Sequence, residues 1–138
     1  RSASGPLRTR RAGAARAVIS PVHARDELRT LRWAIRCSVV LRRGVRAAPL
    51  DRVVVPPRPA VPNTAKHLAM TYLRYVERNC LIRSLIRREW YVSQGMPRTI
   101  VIGVRGKGRD FSAHAWLDGD PAAWYEGFDE LARFPPRS

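Results

Sequence analysis

A chain of 138 residues and 15.6 kDa has room for one ordinary domain. Its 45% apolar and 27% charged residues permit a packed core and exclude wholesale disorder. No apolar run reaches the roughly 18–20 residues of a membrane span, and two cysteines, Cys37 and Cys80, make neither a disulfide framework nor a metal-ligand pair and suit a reducing, cytoplasmic setting. Basic residues number 26 against 11 acidic ones, a formal +15, and all but Lys66 and Lys107 are arginine; such a field draws nucleic acid, anionic lipid or acidic peptide without choosing among them.

Residues 1–20, rich in Arg, Ala, Ser and Gly, read as a flexible basic tail without the apolar core of a secretory signal. The missing initiator Met is what a fragment or processed chain would show. From Asp26, Leu28, Leu31, Ile35 and Val39 recur at helical steps, with Asp26 and Glu27 suited to the first turn and Arg42, Arg43 and Gly44 to the end. Four prolines, Pro56, Pro57, Pro59 and Pro62, forbid helix and favour an extended connector. A second helix is expected over 64–78, with Leu68, Ala69, Tyr72, Leu73 and Val76 inward. A third runs from Cys80 to Ser93, capped by Asn79, burying Leu81, Leu85, Ile86 and Trp90 and closed by Gly95 and Pro97.

The period then changes. Residues 99–104 form a β-prone run fit for a central strand, and Phe111 to Leu117 a second strand after the loop 106–110. Ala122 to Phe128 form a third, returning from the turn Asp118-Gly119-Asp120-Pro121. The pattern predicts an α+β domain: N-terminal helices packed on a small antiparallel meander. In outline, 21–62 hold the first helix and connector, 63–138 hold the remaining core, and 21–138 form one domain.

Cys80 falls in the first turn of the third helix, where free N–H groups and the dipole's positive end stabilise a thiolate. That placement can bring a pKa of about 8.5 down to roughly 3.5–7.5. Taken alone, the placement is weak evidence, because buried inert cysteines are the commoner case. His114 lies mid-strand between two alanines, sharing a face with Ser112 and Trp116, either as a base or as a structural histidine. A hairpin centred on Asp120 pairs His114 with Glu126 and Trp116 with Trp124. Directly opposed side chains are about 4.5–5.5 Å apart at Cβ, so Glu126 would orient the imidazole. Asp118, Asp120 and Asp129 are the substitutes; the first two suit the turn and the third the cap of a final turn. The register is vulnerable to a one-residue slip, which would move Glu126 to the other face.

Asn79-Cys80-Leu81-Ile82-Arg83-Ser84-Leu85, Ile102-Gly103-Val104-Arg105, Phe111-Ser112-Ala113-His114-Ala115-Trp116-Leu117 and Leu131-Ala132-Arg133-Phe134 stand in this order. In this order and spacing they resemble the transglutaminase-like cysteine peptidases of lasso peptide biosynthesis, stand-alone enzymes that remove the leader from a ribosomally made precursor. The resemblance covers about Thr64 to Phe134. It implies a papain-like or transglutaminase-like core, with Cys80 as nucleophile, His114 as general base and Glu126 at the position of the family's acid, commonly Asp. Asp118 stands where the family usually has Glu. It implies no cofactor, and as partners the precursor peptide, a separate leader-recognition protein and a macrolactam synthetase. The arginine-rich first half, Arg29, Arg32 and Arg36 included, is a candidate docking surface.

Other motifs yield less. Residues 103–108 lack Walker spacing and read as a strand end and hairpin loop. His23 and His67 are scattered, Cys37 is expected to pack, and Ser84 has no base. The four tryptophans suit core or groove, with Trp116 and Trp124 expected to flank the substrate. Two rivals remain: a basic nucleic-acid-binding module, marked by steeply salt-dependent binding, and a non-catalytic or acyl-transferring relative of the same fold.

Overall fold

The computed structural model describes residues 20–137, so the expected basic tail lies, except for Ser20, outside the described residues. Helix α1 spans Pro21–Ala47, starting earlier than expected because Pro21 occupies the first turn, where a missing N–H costs nothing. Gly44 does not end it. Its inward stripe is Glu27, Thr30, Trp33, Ala34, Cys37, Ser38 and Leu41, whereas Leu28, Ile35 and Val39 face outward. The small residues let α1 lie close to its neighbours, and Trp33 and Leu41 fill the space around them. Trp33 also donates its indole N–H to the Pro56 carbonyl at 2.9 Å, tying the proline-rich connector to α1.

Helix α2 is shorter than expected, His67–Tyr75, and its start is capped from outside. Buried Glu27 of α1 accepts the His67 and Leu68 N–H groups at 3.2 and 2.9 Å, a tertiary substitute for the missing local cap. Ala69 and Leu73 are buried, while Leu68 and Val76 are exposed. Helix α3, Cys80–Val92, buries Ile82, Ser84, Leu85, Ile86 and Trp90, with Leu81 only partly covered. Trp33, Leu41, Leu73, Leu85, Ile86 and Trp90 join Ile100, Ala115 and Leu117 in one hydrophobic cluster between helices and sheet.

Strands β1 (Ile100–Arg105), β2 (Ser112–Leu117) and β3 (Asp129–Phe134) form an antiparallel sheet in the order β2-β1-β3. Three N-terminal helices packed on a three-stranded sheet match the expected fold class. The meander does not form. The third strand lies later than 122–128, which instead contains a 3-10 turn at Ala122–Trp124, and it pairs with β1. The reason lies at the end of β2, where the Asp120 carboxylate accepts the Leu117 N–H at 2.9 Å and clasps Arg87 of α3. The chain is thereby pinned to the helix and cannot fold back along β2. Among the described residues, no helix is long and apolar enough to cross a membrane.

Candidate active site

The start of α3 is held by a relay of polar contacts. Asn79 accepts the Leu81 and Ile82 N–H groups at 3.0 and 3.1 Å, the capping expected of it. Its own N–H donates to Glu77 at 3.0 Å, and buried Glu77 is paired with Arg42 of α1 at 3.1 Å. Cys80 therefore occupies the first helical position on a fixed scaffold, half-buried and with a free thiol. Its N–H is one of the unpaired donors of a helix start. One turn on, Ser84 donates to the Ala115 carbonyl at 3.1 Å and fastens α3 to β2. Residues four apart share a helix face, so Cys80 lies one turn before Ser84 on the same side of α3.

His114 lies on β2 opposite Gly103 of β1. Its half-buried imidazole shares a sheet face with Trp116, the rings 5.9 Å apart, and has Phe128 at 5.1 Å. Trp116 stacks on Tyr125 at 4.8 Å with only 8° between planes, and its ring passes over Gly103, where a Cβ would stand 2.6 Å from it. Glycine is what lets the indole lie flat beside the imidazole. Burial pushes the His114 pKa down, and the nearby Arg83 and Arg105 charges add to that; a hydrogen bond to the Trp124 backbone works the other way. The net effect favours neutral imidazole, the form that accepts a proton.

The register predicted for His114 and Glu126 is absent, because β2 is paired with β1 and residues 122–128 form no strand. Glu126 is exposed, on the segment between Trp124 and Phe128 that passes His114. The cross-strand Trp116–Trp124 pair is likewise replaced: Trp116 stacks on Tyr125, and Trp124 lies 5.1 Å under the Arg87 guanidinium. Of the substitute acids, Asp120 is taken up by Arg87 at 2.6 and 2.8 Å, and Asp118 pairs with Arg133 at 3.1 Å. Asp129 caps no turn; it opens β3 opposite Val104.

His114, Trp116 and Trp124 line a cleft of about 430 Å³ between α2, α3 and the end of β2; Cys80 and Glu126 are not in its walls. The sequence reading missed its other walls, above all Arg74 of α2 and Arg83, Arg87 and Tyr91 of α3. Their signal was present: Arg83, Arg87 and Tyr91 recur every four residues and must share a helix face. Cys37 is fully buried, and burial aided by Glu89 pushes its thiol up to about 12, so it is packing, as its position in α1 suggested. Among the described residues, no three His, Cys, Asp or Glu side chains gather where a metal could bind.

The family model described as the transglutaminase-like superfamily matches residues 20–137. No curated protein and no solved structure matches the chain.

Proposed function

Since the chain belongs to the transglutaminase-like superfamily, whose members are often Cys-His-Asp hydrolases or transferases, we propose that it is a cysteine peptidase that removes the leader from a lasso peptide precursor. The observation that carries this reading is the placement of Cys80 at the capped start of α3, fastened through Ser84 to the strand that bears His114.

In the proposed reaction His114 takes the Cys80 proton and the thiolate attacks the scissile carbonyl. The Cys80 N–H stabilises the oxyanion, and imidazolium returns the proton to the departing amine. Water, deprotonated by the same imidazole, then cleaves the thioester and restores the thiol. The Trp124 backbone orients the ring, while Glu126, on the same segment, supports the imidazolium charge from solvent. No cofactor enters the reaction.

The proposed setting is cytoplasmic. A separate leader-recognition protein delivers the precursor to α1, where Arg29, Arg32 and Arg36 are exposed, and a macrolactam synthetase acts on the released core. Incubation with a leader–core precursor and the recognition protein tests the reading by mass spectrometry. Release of an intact leader by the wild type and its loss in Cys80→Ala are expected. Leader release by Cys80→Ala, or gain of an amine adduct in place of cleavage, contradicts it.

A further inference from the structure

The cleft beside His114 carries more positive charge than its own acids balance. Three arginines line it, and Asp120 is its single carboxylate. That carboxylate is spent. It is buried, both oxygens engage Arg87, and one also accepts the Leu117 N–H, so it cannot turn toward another guanidinium. Glu77, just beyond the end of α2, is equally committed, to Arg42 and the Asn79 N–H. Among the described residues no carboxylate lies within ion-pair distance of Arg74 or Arg83.

We propose that Arg74 and Arg83 bind a carboxylate of the substrate, the side chain of an Asp or Glu near the scissile bond, in the cleft beside His114. This rests on the peptidase reading for its substrate class. Arg74 stands on α2, its guanidinium 5.3 Å over the Tyr75 ring, and Arg83 stands on α3, so the cleft carries a cation on each of two walls and an anion within it meets donors from both. Trp116, Trp124, Leu73 and Met70 supply apolar walls beside these cations, where a lower local dielectric strengthens the attraction. The same walls favour a peptide side chain with its methylenes over a bare inorganic anion. Bound carboxylate also offsets the Arg83 charge that disfavours imidazolium, so the right substrate raises the basicity of His114 as it binds.

The test uses Cys80→Ala protein, which cannot turn over by the proposed route, so binding is read apart from cleavage. The probes are blocked pentapeptides, acetyl-Ala-Ala-X-Ala-Ala-amide with X as Glu, Gln or Lys, titrated while the indole N–H signals of Trp116 and Trp124 are followed by NMR. The Glu peptide is expected to bind at least about tenfold tighter than the Gln peptide, the discrimination worth a charged hydrogen bond. Arg74→Gln with Arg83→Gln should bring that ratio to near one. Arg74→Glu with Arg83→Glu should reverse the preference toward the Lys peptide, a result that structural damage cannot mimic. Equal binding of Glu and Gln peptides by the parent, or a Glu preference that survives loss of both arginines, overturns the proposal. So does tighter binding of inorganic phosphate or a short oligonucleotide at the same indoles. Failure here leaves leader cleavage by Cys80 standing, and loss of cleavage chemistry leaves this binding preference standing.

Discussion

The two cysteines show how environment separates identical side chains. Cys37 is 0% exposed on the inner face of α1, with its pKa pushed up to about 12, whereas Cys80 is half-buried at a helix start. Iodoacetamide at pH 7.5 should therefore label Cys80 and spare Cys37 until the chain is unfolded; peptide mapping that finds both modified at similar rates would refute the contrast. His114 gives a second prediction. Because burial and neighbouring arginines lower its pKa, the acid limb of kcat/KM should lie below about 6.5, the ordinary value for histidine. Removing one positive neighbour with Arg83→Gln relieves the imidazolium, so the limb moves up in pH. An unmoved or downward-shifted limb contradicts the assignment. The capped helix start that holds Cys80 and the strand that holds His114 were legible in the sequence because both are set locally, by an Asn cap before one and a β-prone run around the other.

Elements carry the information that local reading cannot supply. Glu126 was placed opposite His114 on the premise that a strand following a turn returns along the strand before it. That premise failed through Asp120, whose hold on Arg87 and Leu117 is a tertiary contact between α3 and a turn. The short α2 and the outward aliphatic stripe of α1 escaped prediction for a related reason. Glu27 reads as a first-turn acid of its own helix, yet it caps another. Asp120→Ala leaves Arg87 charged and nearly buried, which should cost about 3–5 kcal/mol of stability in denaturant unfolding; a loss under about 1 kcal/mol would show that the clasp does not hold the end of β2. Gly103→Ala places a Cβ inside the Trp116 ring's space. It should break the Trp116–Tyr125 stack, visible as altered near-ultraviolet circular dichroism, and lower activity while far-ultraviolet helicity is kept. Unchanged near-ultraviolet spectra would contradict the packing.

At the scale of the molecule, three helices provide one wall and the sheet the other, and the polar relay Arg42–Glu77–Asn79 links α1 to the start of α3. The first helix is thus part of the support for Cys80, while Arg29, Arg32 and Arg36 on its outer face are exposed. The fold class was readable from the change of period near residue 99, since helical and strand spacings demand different layers; the strand order was not, because it depends on contacts that no single stretch of sequence encodes. The central claim is that the Cys80 sulfur and the His114 imidazole act as one unit. Its most direct measure is the rate of Cys80 alkylation by iodoacetamide across pH 5–9 in the wild type and in His114→Ala. Coupling predicts a rate at pH 7 at least about tenfold slower without the imidazole. Superimposable profiles for the two proteins would show that the groups act apart and would contradict the mechanism.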